Sequence, residues 1–414
     1  MKKFIYCIII VFSGVTSLFS QGWFQQPSGT NVNLHSINSH HGNENTAWAC
    51  GDNGVILYTS NGGTNWVQQV SGTANDLYCI CFMEVTGAPV MAVGEGGTIL
   101  RTTNSGTNWI TISSPTTRTL RDISDYFFVS VGDSGTILKS SNSGLNWVML
   151  LSPVTVQLNA ASTIFASYIV GNNGTVLRGF STGTNWVITS SGTTANLLAV
   201  PLFGNTDITV GPAGLVWRSS NFGSSWFSQN SNTNVVLRSV EYSVNNTSRI
   251  YICGDNGIII KSTNEGVTFG FQTTPVSQNL NSIFFYLDDN TGYCCGNSGT
   301  ILKTTNGGGP IITSITPVNA EIPVEYSLEQ NYPNPFNPST NIKFSLPDVA
   351  TDHRAVTLRI YDVSGKLIKT LLSGNLEAGN YEISWDAGDL ASGIYYYRLT
   401  SGGFSETRKM ILIK

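Results

Sequence analysis

A short glycine-rich segment recurs seven times in this chain and limits what the chain can fold into more than any other feature. The first copy is "GDNGVILYTSNGGTNW" at 51–66, and the others start at positions 94, 132, 171, 211, 254 and 296. Successive copies are therefore 38 to 43 residues apart. A period of that length indicates one compact unit per copy, which buries its apolar face by stacking on its neighbours.

Each copy predicts four short strands. The aromatic residue that ends a copy is followed 11 residues later by leucine, as in Trp66 and Leu77, and three residues further on by an apolar residue such as Ile80. An "L..I" strand, a strand ending in "AVG", a "GTILR" strand and a strand beginning with tryptophan follow one another in each period. Four short strands joined by glycine turns are typical of a β-propeller blade.

The seventh copy stops at Pro310, where its tryptophan strand is expected. The missing piece has a counterpart near the start of the chain, where "WFQQPSGTNVNLHSI" repeats the spacing of Trp23, Leu34 and Ile37. A propeller closed in this way leaves no strand edge open, whereas an open array requires caps that the sequence does not offer. We therefore expect an all-β, seven-bladed β-propeller over residues 21–310, closed by its N-terminal strand.

The composition agrees with many strands and tight turns. The 414 residues are 41% hydrophobic and only 11% charged, and the net charge is −4. Because neither half of the chain is basic, no nucleic-acid partner is expected. Of the six cysteines after position 20, Cys50, Cys253 and Cys295 stand where other copies have valine. Those positions favour small buried core residues over disulfides, although disulfides stay an open alternative in an exported chain.

Residues 1–20, "MKKFIYCIIIVFSGVTSLFS", have the layout of a secretory signal peptide. Two lysines precede an apolar run that is shorter than the about twenty residues a membrane anchor needs. No later segment is long and apolar enough to span a bilayer. We therefore expect an exported protein without an integral membrane segment after cleavage of the leader.

A second domain follows Pro310, where the sequence becomes rich in proline and asparagine. Residues 311–325 read as a linker, and residues 326–414 alternate polar and apolar positions between "VSGK", "EAGN" and "TSGG" turns. That pattern predicts a small Ig-like β-sandwich.

Both parts resemble known families. "TSNGGTNW" resembles the Asp-box of bacterial neuraminidase repeats, and "GxxGxIxRTxxGGxxW" resembles the repeats of photosystem II stability and assembly factors. This resemblance covers residues 23 to 310 and implies a propeller. Related blades occur in sialidases, endoglucanases, sorting receptors and assembly chaperones, so it implies no single activity.

Residues 326–414 resemble the type A C-terminal sorting domain of type IX secretion cargo, through "YSLEQNYPNPFNPSTNIKFSLP", "YDVSGK" and "LASGIYYYRL". The resemblance implies recognition by the type IX secretion machinery and a place outside the outer membrane of a Gram-negative, Bacteroidetes-like bacterium. The expected sorting-motif residues are Tyr332, Pro333, Asn334, Pro335, Phe336, Gly393, Tyr395 and Lys414.

Catalysis is not the favoured hypothesis. The arginines of the propeller do not form the cluster that a sialidase needs, and nothing in the sequence brings two carboxylates together among Asp122, Asp125, Glu241, Asp288 and Asp289. The acids and the four histidines show no metal-binding spacing, so no metal or cofactor is expected. We expect a secreted, non-catalytic propeller that binds a protein or glycan. Alternatives are an extracellular glycoside hydrolase, sialidase-like or endoglucanase-like, and an assembly factor for a membrane complex.

Two recurring positions are candidate binding sites. Seven residues after the first glycine, six of the seven copies carry a cation: Arg101, Lys139, Arg178, Arg218, Lys261 and Lys303. Ion pairs with the acid after that glycine, as in Asp52 and Asp133, are the structural alternative for these cations. The residue after each inner-strand leucine is mostly polar and is expected at the mouth of a central channel, where hydration is the alternative to ligand binding. The candidates there are His35, Tyr78, Arg121 and Arg238.

Overall fold

The computed structural model describes most of the chain. The described residues are 22–39, 43–82, 89–124, 128–163, 167–179, 185–201, 207–243, 245–309, 315–317, 323–347, 355–375, 378–387 and 390–414. The predicted signal peptide lies outside them.

Short strands fill the described part of residues 24–305. In chain order they are β1 (Phe24–Gln26), β2 (Leu34–Asn38), β3 (Ala47–Gly51), β4 (Ile56–Thr59), β5 (Val67–Gln69), β6 (Leu77–Phe82), β7 (Val90–Gly94), β8 (Ile99–Thr102), β9 (Ile110–Thr111), β10 (Leu120–Ser124), β11 (Val129–Gly132), β12 (Thr136–Lys139), β13 (Val148–Met149), β14 (Leu158–Ser162), β15 (Ser167–Gly171), β16 (Thr175–Gly179), β17 (Trp186–Ser190), β18 (Asp207–Val210), β19 (Val216–Ser219), β20 (Phe227–Gln229), β21 (Leu237–Ser243), β22 (Asn246–Gly254), β23 (Ile259–Ser262), β24 (Gly270–Gln272), β25 (Leu280–Phe285), β26 (Thr291–Gly296) and β27 (Ile301–Thr305).

These strands form seven small antiparallel sheets in the described residues. Consecutive strands make up six of them: β2 to β5, β6 to β9, β10 to β13, β14 to β17, β18 to β20, and β21 to β24. The fifth of these has three strands, and an isolated bridge between Ala199 and Val210 stands where its innermost strand is expected. The seventh sheet has the order β25, β26, β27 and β1.

The outer strand of the seventh sheet therefore comes from the other end of the chain. Strand β1 pairs antiparallel with β27, with Gln25 opposite Leu302. Just before β1, the buried Trp23 lies edge-on to Phe285, with ring centroids 5.7 Å apart. The indole N–H of Trp23 donates a hydrogen bond of 2.9 Å to Oε1 of Gln272 in the preceding sheet.

The sheets pack face to face because their middle strands are apolar on both sides. Strand β3, for example, is buried at every residue. Seven apolar clusters each join two successive sheets, and one of them joins the first sheet to the last. In that cluster Trp66 lies edge-on to Tyr293 at 5.9 Å. The innermost strands of neighbouring sheets also contact one another, β25 and β2 included. Sheets arranged around one axis in this way form a β-propeller.

Tight turns link the strands at the two faces of the propeller. Four 3₁₀ turns follow second strands: η1 (Asp52–Gly54), η2 (Glu95–Gly97), η3 (Asp133–Gly135) and η4 (Asp255–Gly257). Gly54 has a φ of +69°, and a Cβ there would collide with the carbonyl of Thr73, so only glycine fits. Because successive strands run in opposite directions, these turns share one face with the loops that lead into the innermost strands. We call this the mouth face.

The opposite face carries the turns between third and fourth strands, most of which have the pattern Asn-X-Gly; we call these the Asn-Gly turns. Oδ1 of Asn61 accepts hydrogen bonds of 3.0 Å from the Thr59 hydroxyl and from the Asn65 N–H. An asparagine side chain thus closes the turn in place of a backbone ladder. Equivalent bonds occur at Asn104, Asn142, Asn221 and Asn264.

Two cysteines predicted to be core residues are buried at equivalent points of the propeller. The Cys50 thiol donates to the Leu77 carbonyl at 3.4 Å, and the Cys253 thiol to the Leu280 carbonyl at 3.7 Å. Burial raises the pKa of the Cys50 thiol well above its ordinary value.

The C-terminal part is a sandwich of two four-stranded sheets over one apolar core. Its first strand, β28, lies within the predicted linker, so the backbone of the sandwich begins earlier than the sequence suggested. The sheet orders are β28, β33, β30, β29 and β32, β31, β34, β35. The strands are β28 (Ile315–Pro317), β29 (Ser327–Leu328), β30 (Ser339–Leu346), β31 (Ala355–Tyr361), β32 (Leu367–Asn375), β33 (Gly379–Asp386), β34 (Gly393–Ser401) and β35 (Phe404–Leu412).

Candidate functional site

In six of the seven described sheets, the residue after the inner-strand leucine occupies a β-bulge. In β2 the pairing with β3 shifts between Leu34 and Ser36, which leaves His35 as the extra residue. A bulge re-aims its side chain and is common beside functional sites. The same shift leaves Tyr78, Arg121, Asn159, Arg238 and Asn281 as extra residues in their own strands.

Three of these bulged residues bind the acid that follows the second strand of the same sheet. His35 Nε2 lies 2.6 Å from Asp52 Oδ1. Arg121 and Arg238 make the same 2.6 Å contact through Nε, with Asp133 and Asp255. The bulge and the 3₁₀ turn therefore face each other at the mouth face.

Where the bulged residue is asparagine, its partner is asparagine too. Asn159 Nδ2 donates to Asn172 Oδ1 at 3.1 Å, and Asn281 Nδ2 donates to Asn297 Oδ1 at 2.9 Å. In the sheet without a complete inner strand, the two positions hold Leu198 and Pro212. The second sheet differs, because it combines the neutral Tyr78 with the acidic Glu95.

Tyr78 joins two of these pairs into one group. The centre of its ring lies 5.1 Å from the centre of the His35 ring. The guanidinium group of Arg121 lies 5.4 Å from the centre of the same tyrosine ring. We call Asp52, His35, Tyr78, Arg121 and Asp133 the mouth cluster. The side chains of its two ion pairs are 24 to 33% exposed, so a ligand can reach them. Burial and the nearby carboxylate of Asp76 raise the pKa of Tyr78.

The recurring cations lie on third strands, towards the opposite face, and point into the next sheet. Arg101 Nε donates to the Ser143 carbonyl at 3.0 Å. Arg218 Nε donates to Glu265 O at 2.8 Å, Lys261 Nζ to Gly307 O at 2.9 Å, and Lys303 Nζ to Gly62 O at 2.8 Å. Every acceptor is the residue that follows the asparagine of an Asn-Gly turn. These four cations therefore tie each sheet to the turn of the next.

Burial lowers the proton affinity of the three lysines in this set. The pKa of Lys261, which is 7% exposed, falls to about 8. Burial also lowers the pKa of Lys139 and of Lys303. Lys261 and Lys303 lie over the rings of Tyr251 and Tyr293, at 4.9 and 5.5 Å. Arg178 is close enough to Asp207 to oppose the rise in that carboxyl's pKa.

The aspartates that the sequence offers as partners for the recurring cations do form ion pairs, but with other side chains. Asp52, Asp133 and Asp255 bind the bulged residues of the mouth and not the recurring cations. The structural alternative, in which the recurring cations pair with the acid after the first glycine, is therefore not the arrangement at these three aspartates. The structure separates the two candidate sets: one lines the mouth face, and the other lies between sheets near the opposite face. Anion binding by the cations stays a prediction.

The carboxylates considered for catalysis have local bonding partners. The Asp122 side chain accepts the Ala161 N–H at 2.8 Å, and burial raises its pKa. Asp288 accepts bonds from the N–H and hydroxyl of Thr291 at 2.7 and 2.6 Å. Asp289 accepts the Asn245 N–H at 3.2 Å. Asp125 lies outside the described residues, and Glu241 is buried.

The described residues contain neither a group suited to a metal ion nor a helix suited to a membrane. Among the residues that the structure describes, no group of three His, Cys, Asp or Glu side chains is placed to hold a metal ion. No helix within those described ranges combines the length and the apolar character needed for a membrane crossing.

The sorting-motif residues come from three separate segments that meet at one edge of the sandwich. Gly393 pairs with Leu412, and the Lys414 N–H donates to the Ser392 hydroxyl at 2.9 Å. Phe336 bridges Leu412 in parallel orientation. The Tyr395 hydroxyl closes the adjoining turn by donating to the Ala391 carbonyl at 2.8 Å.

The fold defines a class of protein: a β-propeller followed by a small β-sandwich. Residues 330–414 match the family model of the secretion system C-terminal sorting domain, which is the type IX sorting tail. Residues 15–305 match the model of the photosynthesis system II assembly factor YCF48, and the chain belongs to this family. The comparison with curated protein sequences found no match.

Solved structures show the same fold for the propeller. YCF48 from Cyanidioschyzon merolae is 19% identical with a TM-score of 0.57, over 68% of this chain and 98% of that one. A structure titled YCF48 bound to D1 peptide is 18% identical with a TM-score of 0.57, over 69% and 95%. The WD40 repeats of RRP9 are 10% identical with a TM-score of 0.58, over 69% and 97%.

Proposed function

We propose that this protein is a secreted, non-catalytic β-propeller that binds a protein or glycan partner through the mouth cluster. The sorting tail implies a secreted or cell-surface protein of a Bacteroidetes bacterium. The mouth cluster carries the binding proposal, because it brings an aromatic ring, an imidazole and a guanidinium to one partly exposed edge.

The scaffold we propose is a seven-bladed propeller that β1 closes. Two sets of contacts support this assignment. The pairing of β1 with β27 gives the last sheet its fourth strand. Bonds between the last and first sheets also cross the closure: Asn281 Nδ2 donates to Leu34 O at 2.8 Å, and the Ile37 N–H donates to the Ser282 hydroxyl at 3.3 Å. A closed scaffold holds the mouth residues in fixed positions, which lowers the entropic cost of binding.

The chemistry of the mouth suits a partner with polar and apolar groups side by side. Tyr78 offers a flat aromatic surface with a hydroxyl at its tip, and this combination is frequent at protein and sugar contacts. The flanking Arg121 and His35 are already paired with carboxylates. Their charges are thus largely neutralised, so shape and hydrogen bonding outweigh net charge in recognition.

Two other functions stay open as alternatives. The neighbour titled YCF48 bound to D1 peptide favours a peptide ligand, and by extension an assembly factor for a membrane complex. A glycoside hydrolase is the enzymatic alternative. Incubation of the purified protein with sialosides and polysaccharides tests it: sugar release that one carboxylate substitution abolishes would overturn the non-catalytic proposal.

The binding test compares variants of the mature protein as bait on native cell surfaces and on a glycan array. Tyr78→Ala and Arg121→Gln are expected to weaken capture of the same partner by about tenfold, equivalent to about 1.4 kcal/mol. Leu198→Ala is the matched control, because it changes the equivalent position of a sheet outside the mouth cluster. Equal capture by all variants, with unchanged melting temperatures, would place the binding surface elsewhere.

A further inference from the structure

Two cysteines face each other across the boundary between the sixth and seventh sheets. Cys253 lies in β22 and Cys294 lies in β26, and both belong to the apolar cluster that joins these two sheets. Both side chains are fully buried. The Cys253 thiol also reaches the backbone of the seventh sheet, because its 3.7 Å hydrogen bond goes to the Leu280 carbonyl. The two middle strands therefore bring their thiols to one buried place.

The two side chains are close neighbours in that cluster. Burial, and then the adjacent Cys253 side chain, raise the pKa of the Cys294 thiol. Both residues carry free thiols in the structure. Facing strands of two packed sheets are also the place where antibody domains carry their inter-sheet disulfide. The arrangement therefore has the elements of a disulfide in its reduced form.

Two other cysteines occupy the same repeat position as Cys253 but do not face a cysteine. Cys50 and Cys295 also stand just before the first glycine of a copy. The position that corresponds to Cys294, two residues before that glycine, holds Ala92 in the cluster of Cys50 and Ala49 in the cluster of Cys295. Of these three boundaries between sheets, one alone places cysteine opposite cysteine. A need for a small core residue explains the first two boundaries but leaves the second cysteine of the third unexplained.

We propose that Cys253 and Cys294 form a disulfide after export and that this bond fastens the seventh sheet to the sixth. The inference rests on the proposed function as secreted cargo, because disulfides persist in oxidising compartments outside the cytosol. Two S–H bonds break and one S–S bond forms. The two protons pass to water, and the two electrons reduce the S–S bond of a thiol–disulfide exchange protein or a small-molecule disulfide to two thiols.

The bond acts where the ring of sheets is not continuous in sequence. The fourth strand of the seventh sheet is β1, which comes from the other end of the chain and is held by contacts such as the bond from Trp23 to Gln272. A disulfide that closes a loop of about forty residues stabilises the folded state by restricting the unfolded chain. Because the thiols are buried after folding, we expect the bond to form while the two sheets assemble and to resist reductants until the propeller unfolds.

The test counts free thiols in the mature protein, residues 21–414, collected outside a bacterium with type IX secretion. The protein is unfolded without reductant in the presence of an alkylating reagent. Its six cysteines should then carry four alkyl groups, and a digest without reductant should contain a linked peptide pair that joins Cys253 to Cys294. Cys253→Ala should carry five alkyl groups, because its partner is released. Cys50→Ala is the matched control and should carry three, because the bond stays intact.

Refolding of the purified chain with oxidised and reduced glutathione separates this inference from the secretion function. If the bond forms on refolding but no protein is found outside the cell, the secretion function is wrong and the pairing stands. Six alkyl groups on both the exported and the refolded wild type, or a bond between other cysteines, would overturn the pairing. Refolding under reductant should lower the melting temperature of the propeller by roughly 5 °C or more. An unchanged melting temperature would show that the bond does not fasten the sheets.

Discussion

In six of the seven described sheets, one bulged residue determines which side chain the propeller presents at its mouth. The bulge releases the residue after the inner-strand leucine from the ladder and turns its side chain towards the 3₁₀ turn. Because the bulge is a backbone feature, the side chain it presents can vary without loss of the sheet: histidine in the first, tyrosine in the second and arginine in the third. The mouth can therefore change its chemistry while the scaffold is conserved in shape.

A half-buried carboxyl in the propeller, that of Asp207, gives a prediction at the scale of the single residue. Asp207 accepts the Tyr168 hydroxyl at 3.0 Å, and burial raises its pKa to about 6 from 3.8. The folded state thus binds the proton more tightly than the unfolded state, so ionisation costs stability as the pH rises from about 4 to about 6. Asp207→Asn does not ionise and should be more stable than the wild type above that window, by on the order of 2 kcal/mol.

Urea unfolding of both proteins at about pH 4 and about pH 7.5 measures this difference. The advantage of Asp207→Asn should grow between the two values, because only the wild type loses a proton from this site. The same free-energy difference at both pH values would contradict the assignment of a raised pKa to Asp207.

The strands could be predicted from the sequence because their signals are local. Glycine spacing and the constant interval from tryptophan to leucine, as between Trp66 and Leu77, depend only on neighbours along the chain. The bonds of the polar side chains could not be predicted in the same way. The partner of Arg101 lies 42 residues away in the next sheet. A partial signal for the mouth pairs was present, because histidine or arginine occurs with aspartate and asparagine occurs with asparagine, but the bulge that joins them has no local signature.

At the scale of elements, two kinds of tie hold neighbouring sheets together. Lysine and arginine side chains reach the Asn-Gly turn of the next sheet. Tryptophans at the start of fourth strands fill the space between sheets, as Trp23 does for the last one. The second kind buries far more apolar area and should dominate stability.

Substitution of Trp23 therefore tests how much β1 contributes to the stability of the propeller. Trp23→Ala removes the contact with Phe285 and the bond to Gln272, and should lower the free energy of unfolding by about 3 kcal/mol or more. Phe24→Ala is the matched control: Phe24 is the next residue, is 39% exposed, and should matter by less than about 1 kcal/mol. Chemical denaturation of both variants measures the two values, and similar small losses would show that β1 is dispensable.

At the scale of the whole molecule, the chain is two cores in series. The sandwich has its own apolar cluster, and the clusters of the propeller are made of residues up to Leu302. Phe271, half-buried on the sixth sheet, packs against both the sandwich cluster and the propeller. The two parts therefore touch, but neither takes its main core from the other.

A chain of residues 22–309 should for this reason fold alone. Its melting temperature is expected to lie within a few degrees of the propeller transition of the full chain, since the propeller clusters stay complete when the contact of Phe271 with the sandwich is lost. Differential scanning calorimetry of the two proteins, with a Phe271→Ala full-length variant as control, makes the comparison. A short chain that fails to fold, or melts far lower, would show that the propeller depends on the sandwich.

The pairing of β1 with β27 also joins the strands of the propeller that are synthesised first and last. The ribosome makes β1 first, but its partner strand appears only after nearly 280 further residues. Loop-closure entropy grows slowly with length, so the delay costs little at equilibrium. The delay matters during synthesis and export, because β1 and Trp23 remain unpaired while the other sheets form. In the closed propeller that we propose, the first strand to be synthesised therefore pairs with the last one.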